Sequence, residues 1–207
     1  MKVSALGILA TPGAGASRYE IGRFVTTGAR IEENEIRDNG RGGGAAINLD
    51  GVSDSTIRGN TLTNNHGTGI ALFQENGATG SRNNTVTENT IDMAADARWA
   101  IQMVGCQDIS GTTCTTASEP PLASWTRPAA NATGSTGNTI TKNTLGNRSA
   151  TSGSIRIDAR SLATDGAKAF TSNDNVVVDR FGVDAQTLTL AAWRTRTGQD
   201  AASRLAP

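Results

Sequence analysis

The chain has 207 residues, of which 36% are hydrophobic and 4% aromatic, and its 19 basic residues balance 19 acidic ones. One domain fits this length, and the balanced charge offers no attraction for nucleic acid or for an anionic membrane. The 24 glycines, together with many threonines and asparagines, favour tight turns and strands, so the composition excludes a helical bundle.

Residues 1–18 are predicted to form a lead-in to the domain. They contain one lysine, a short apolar stretch and the small-residue run AGA, which together make a minimal secretion signal. The alternatives are an irregular lead-in and the start of a truncated chain. No apolar run approaches the roughly 20 residues that a membrane-spanning helix needs, so we expect no membrane span.

A short repeat follows the lead-in. Each copy has an apolar residue, two further residues, an asparagine, one residue and a second apolar residue. The four asparagines are Asn34, Asn60, Asn89 and Asn143. The spacing varies about twofold, which a coil of short strands tolerates and a helical solenoid does not. A fifth segment, Asn175 to Phe181, keeps the apolar strand but places Asp179 where asparagine is expected.

A second family of strands alternates with the asparagine units. Its copies are AAINLD, TGIALF, WAIQMV and GSIRID, with an earlier copy, YEIGRF. Their apolar residues alternate as in half-buried strands. The two families together predict an all-β protein, a right-handed parallel β-helix of about five coils over residues 19–182. The asparagines would occupy left-handed bends and stack as a hydrogen-bonded ladder.

Two departures interrupt or end this coil. An insertion at residues 104–137 holds Cys106 and Cys114, whose spacing favours a loop disulfide over two free thiols in an oxidising compartment. Residues 183–207 are predicted to be a C-terminal cap. In it, Leu190 and Trp193 lie on a short helix, and Trp193 covers the last coil.

The outward positions of the second strand family form the candidate binding face. The predicted substrate-binding residues are Asn48, Phe73, Glu75 and Gln102, and the candidate catalytic residues are Asp50, Arg156 and Asp158. In a lyase or epimerase, the Arg156 guanidinium would neutralise a uronate carboxylate. Asp50 and Asp158 lie three coils apart, roughly 14 Å. A glycosidase needs carboxyls about 5–9.5 Å apart, so these two cannot form such a pair.

Other titratable residues have two open interpretations each. His66 precedes a glycine and is either a general base or a polar turn residue. Asp50 with Asp54 or Glu75, and Asp92 with Asp96, are either acid pairs or solvated turn residues. Calcium would suit the oxygen ligands near Asp50, but no calcium-loop spacing is present, so the cofactor stays unknown.

The chain resembles the C-terminal half of secreted bacterial right-handed parallel β-helix proteins of the pectate-lyase-like superfamily. The resemblance rests on the repeated N-T-[IVL]-x-x-N-T-[IL] coils, ARWAIQM, GSTGNTITKN, SNDNVVVDRF and LAAWRTRTGQDAAS. It implies a secreted or cell-surface protein, which we expect to be a monomer, with a polysaccharide as its partner. Three functions stay open: a polysaccharide lyase or glycoside hydrolase, a non-catalytic binding or adhesion solenoid, and a structural portion of a larger protein.

Overall fold

The fold was analysed in a computed structural model, which describes residues 2–4, 26–73, 80–104, 134–162 and 169–207. Successive strands alternate among three sheets, so that every third strand returns to the same sheet one rung further along. This is the arrangement of a parallel β-helix, as the sequence predicts.

The three sheets are named by their order around one rung. Sheet A contains β1 (Lys2–Ser4), β2 (Arg30–Glu32), β5 (Thr56–Arg58), β8 (Thr85–Thr87), β11 (Asn138–Thr141) and β14 (Phe170–Asn173). Sheet B contains β3 (Glu35–Arg37), β6 (Thr61–Thr63), β9 (Thr90–Met93), β12 (Thr144–Asn147), β15 (Val176–Val177) and β18 (Arg204–Leu205). Sheet C contains β4 (Ala45–Asp50), β7 (Thr68–Phe73), β10 (Ile101–Val104), β13 (Ile155–Ile157), β16 (Phe181–Val183) and β17 (Gln186–Leu188).

Strand pairing is parallel except at two places. β1 pairs antiparallel with β2, and β17 turns back antiparallel on β16. Two helices are described: the single turn α1 (Ala159–Leu162) and α2 (Leu190–Thr197). Neither is long and apolar enough to cross a membrane.

The core is a set of apolar columns that run along the axis of the coil. In sheet C, for example, Ile47, Ile70, Ile101 and Ile155 stand in register on successive strands. The last three have no solvent exposure. Burying each such side chain contributes about 1.5–3 kcal/mol. Because each rung is narrow, these columns supply a core despite the low hydrophobic content.

A ladder of buried asparagines lines the corner between sheets A and B. Asn34 Nδ2 donates to Asn60 Oδ1 at 2.9 Å, and Asn60 Nδ2 to Asn89 Oδ1 at 2.9 Å. Asn89 Nδ2 donates to Asn143 Oδ1 at 3.0 Å, and Asn143 Nδ2 to Asn175 Oδ1 at 3.1 Å. The predicted stacking is confirmed over five rungs.

Two details of the predicted ladder are wrong. The left-handed residue at each bend is the one before the asparagine, at φ between 55° and 63°: Glu33, Gly59, Glu88, Lys142 and Asp174. The asparagine instead turns its side chain inward. In the fifth unit, Asn175 itself holds the ladder position, and Ser172 stands where earlier rungs have an apolar residue. The sequence analysis therefore assigned the fifth unit to the wrong bend, at Asp179 instead of at Asn175.

The C-terminal cap has the predicted helix. Trp193 on α2 has no solvent exposure and stacks on Phe181 with ring centroids 5.0 Å apart. Its Nε1 donates to the buried carboxylate of Asp200 at 2.8 Å. Trp193 thus lies over the last rung, as expected. The predicted strand YEIGRF and the cysteines Cys106 and Cys114 lie outside the described residues.

Candidate functional site

Strand register sets the order of side chains on the outer face of sheet C. One row along the coil axis contains Asn48, Ala71, Gln102, Arg156 and Gly182. The neighbouring row places Asp50 beside Phe73 and Phe73 beside Val104. These rows have the outward alternation that the sequence predicts.

The middle of this face is closed to solvent. Phe73 is 3% exposed and Gln102 is 4% exposed, and Thr68 Oγ1 donates to Gln102 Oε1 at 3.2 Å. Asn48 is exposed and Asp50 half-buried at the first rung. Solvent therefore reaches the first rung of this face but not its middle, and contact of a ligand with Phe73 or Gln102 stays a prediction. Glu75 lies outside the described residues.

Arg156 and Asp158 form the other accessible end, and both are half-buried. Asp158 Oδ1 accepts from the backbone N–H of Ser161 at 2.8 Å, which satisfies a free donor in the first turn of α1. Arg156 Nε donates to the backbone oxygen of Asp184 at 3.0 Å. Both side chains therefore support local structure, and the remaining N–H groups of Arg156 have no partner among the described residues.

Trp99 also belongs to the outer face, and the sequence analysis missed it. A Cβ built on Gly182 would lie 2.9 Å from Trp99 Cζ2 and 3.0 Å from Arg156 Cγ. The indole and the arginine stem therefore pack directly over this glycine. WAIQMV suggests that Trp99 is part of the strand, but β10 begins only at Ile101, so alternation could not assign its direction.

A second polar group lies where the chain passes from sheet B to sheet C. His66 Nδ1 and Asp96 Oδ1 are 2.6 Å apart. The His66 side chain is 8% exposed and that of Asp96 is 69% exposed. The hydrogen bond from His66 lowers the pKa of the Asp96 carboxyl below its ordinary value. With its proton on Nδ1, the neutral imidazole carries its lone pair on Nε2.

Asp92 and Asp96, one of the candidate acid pairs, contact different partners. Asp92 faces Arg148, whose Nε lies 3.6 Å from Asp92 Oδ1, while Asp96 faces the imidazole. Asp54 occupies a left-handed bend, where a hydrogen bond with Ser53 lowers the pKa of the Asp54 carboxyl. Among the residues that the structure describes, no three His, Cys, Asp or Glu side chains form a metal-binding group.

Comparison with known proteins assigns the chain to a family. Residues 22–161 match the family model described as "NosD: Periplasmic copper-binding protein (NosD)". No curated protein and no solved structure matches the chain. The matched segment covers more than half of the chain and most of the described coil. The chain therefore belongs to the NosD family, whose description places it outside the cytoplasm.

Proposed function

We propose that this protein is an extracytoplasmic scaffold that binds a polysaccharide through the two accessible ends of the outer face of sheet C. The observation that carries the proposal is the fixed placement of two polar groups on that face. Asn48 and Asp50 form one end, and Arg156 and Asp158 form the other. Three strand spacings separate them, about 14 Å, which suits an extended chain better than a small molecule.

The contacts favour binding without turnover. Asp50 and Asp158 are about 14 Å apart, beyond the roughly 5–9.5 Å of a glycosidase pair. A lyase would need a base beside a cation. In a catalytic form of the proposal, Asp158 would be the base and Arg156 the cation. However, Asp158 Oδ1 already accepts the first-turn N–H of α1. A non-catalytic scaffold uses these side chains without removing them from their structural contacts.

Substitution of Arg156 tests the proposal. We expect Arg156→Ala to weaken binding to an acidic polysaccharide at least tenfold, because the half-buried guanidinium offers N–H groups to a sugar carboxylate. Asp50→Ala tests the other end, and Asp158→Asn keeps the helix contact while removing charge. The matched control is Arg37→Ala, on the outer side of sheet B, where the Arg37 side chain is 68% exposed. Affinity electrophoresis with acidic and neutral polysaccharides measures the effect.

The same samples are assayed for depolymerisation. Binding that depends on Arg156, with no bond cleavage, supports the scaffold. Cleavage lost in Asp158→Asn would establish the catalytic form instead. Absence of binding to every polysaccharide, or equal loss in Arg37→Ala, would contradict the proposal.

A further inference from the structure

The outer face of sheet A carries threonines in two rows that run along the coil axis. They alternate with buried residues along each strand and lie in register from strand to strand. The first row is Thr56, Thr85, Thr139 and Thr171, and the second is Thr87 and Thr141. These six residues form the threonine array. All six are half-buried, so neighbouring side chains hold each threonine while its tip meets solvent.

Ladders of buried side chains border the threonine array on both sides. The asparagine ladder described above runs along one edge through Asn89 and Asn143. Along the other edge, Asn84 Nδ2 donates to Asn138 Oδ1 at 3.1 Å, and the backbone N–H of Ser55 donates to Asn84 Oδ1 at 3.1 Å. Side-chain ladders of this kind stabilise flat sheets. In sequence, the two central units read N-T-[VI]-T-x-N, with the threonines between two anchored asparagines.

Strand register fixes the spacing of the array. Adjacent threonines of one row are one strand spacing apart, about 4.8 Å, and the two rows are two residues apart, about 6.6 Å. Threonine is β-branched, so its χ1 angle has few allowed values in a strand. Thr87 Oγ1 and Thr141 Oγ1 are 3.3 Å apart, within hydrogen-bond reach, which orients both hydroxyls further. The array therefore presents hydroxyl and methyl groups at fixed, repeated positions.

The surroundings of the array decide which kind of ligand it fits. At the outer positions of β5, β8, β11 and β14 the one charged side chain is Arg58, and none is aromatic. Arg58 is itself paired, since its Nε lies 3.6 Å from Glu32 Oε1 and its Nη1 lies 3.9 Å from Glu88 Oε2. An acidic sugar needs a free cation, and ligand sites are usually lined by aromatic rings. A flat, uncharged lattice of oxygen atoms fits this face better.

We propose that the threonine array binds the surface of ice. Hexagonal ice repeats its oxygen atoms at intervals similar to both spacings of the array. The hydroxyls therefore form hydrogen bonds to lattice positions in two directions, and the methyl groups order the water between them. Protein bound in this way stops the growth of ice at the covered patch. Because the array spans only three strand spacings, roughly 14 Å, it inhibits recrystallisation more than it lowers the freezing point.

This inference does not rest on polysaccharide binding, which was assigned to sheet C. It also needs no copper. Among the described residues the one imidazole, that of His66, belongs to no group of three candidate ligands, so the described part of the chain does not fit that metal.

The test measures how strongly the full chain inhibits ice recrystallisation, with thermal hysteresis as a second readout. Thr139→Lys places a long charged side chain in the middle of the array and should raise the concentration needed for inhibition about tenfold or more. Thr139→Tyr has a residue of high β-propensity and should have the same effect, because the ring lifts the array off the ice. The matched control is Thr63→Lys. Thr63 is exposed on the outer face of sheet B, in register with Asp92, and its replacement should leave inhibition unchanged.

Three results would overturn the proposal. The first is no inhibition by the unmodified chain, and the second is an equal loss in Thr63→Lys. The third is an array that binds sugar instead: Thr139→Lys abolishes binding to an insoluble polysaccharide and leaves ice recrystallisation unaffected. Circular dichroism checks that each variant folds. Should Thr139→Lys fail to fold, Thr139→Tyr decides, because full inhibition by that variant contradicts contact between the array and ice.

Discussion

Replacing Asn89 by alanine is expected to lower the free energy of unfolding by about 3–5 kcal/mol. Asn89 Oδ1 accepts from the backbone N–H of Asn60 at 2.9 Å and from its Nδ2 at 2.9 Å. Asn89 Nδ2 donates to the backbone oxygens of Ile57 and Thr87 and to Asn143 Oδ1. Alanine leaves several of these buried groups without partners. Urea unfolding of the full chain measures the loss.

Two variants separate hydrogen bonding from volume. Asn89→Asp keeps the shape but replaces the Nδ2 donor with an oxygen that faces other acceptors, so it should destabilise the protein about as much as alanine does. Asn34→Ala, at the first rung, should cost only about 1 kcal/mol, because Asn60 Oδ1 keeps the Asn34 backbone N–H as a donor. Equal losses in Asn89→Ala and Asn34→Ala would show that the ladder does not carry this stability.

Replacing Asp200 by alanine is expected to cost about 3–5 kcal/mol and to loosen the C-terminal cap. The Asp200 side chain is 1% exposed and accepts four hydrogen bonds. Its Oδ1 accepts from Ser172, Ser203 and Asn175, and its Oδ2 from Trp193 Nε1. Alanine also meets strain at the left-handed φ of 60°. Denaturant unfolding measures the loss, and hydrogen exchange across α2 and β18 locates it.

Asp200→Asn is the matched control. Asparagine tolerates the left-handed bend, and its amide nitrogen would face the hydroxyls of Ser172 and Ser203, which can turn to accept, so that only the Asn175 Nδ2 donor loses its acceptor. The oxygen of the new amide can still accept from Trp193. We therefore expect a loss of about 1–2 kcal/mol with the cap still ordered. If Asp200→Ala were as mild as Asp200→Asn, the carboxylate would not be what joins the helix to the last rung.

Repetition made most of the fold predictable. Segments around Ile57, Val86 and Ile140 are alike because each fills the same position of successive rungs, so one correct unit implies the others. The ladder followed from the same repetition. The left-handed residue did not, because glutamate, glycine, lysine and aspartate all occupy it. The bend is imposed by the rung rather than by one residue type.

The candidate site was less predictable because its contacts depend on loop lengths. His66 and Asp96 are 30 residues apart, and only the lengths of the intervening turns bring them together. Asp200 has no repeated counterpart, so no pattern marked it. Alternation placed Asn48, Asp50 and Arg156 on the outer face of sheet C, where the register also puts them, but it carries no information on what buries Phe73 and Gln102. Alternation also cannot predict the direction of a side chain such as that of Trp99, which lies just before a strand.

Cysteine cross-linking is the most direct test of the stacked rungs. Thr85 and Thr139 are 54 residues apart in sequence but stand in register on adjacent strands. Their Cα atoms should lie about 4.8 Å apart, within the about 4.4–6.8 Å of a disulfide. In a chain with Cys106 and Cys114 changed to serine, Thr85→Cys with Thr139→Cys should cross-link rapidly. Thr56→Cys with Thr139→Cys, two rungs or roughly 10 Å apart, should not; the reverse order of reactivity would contradict the coil.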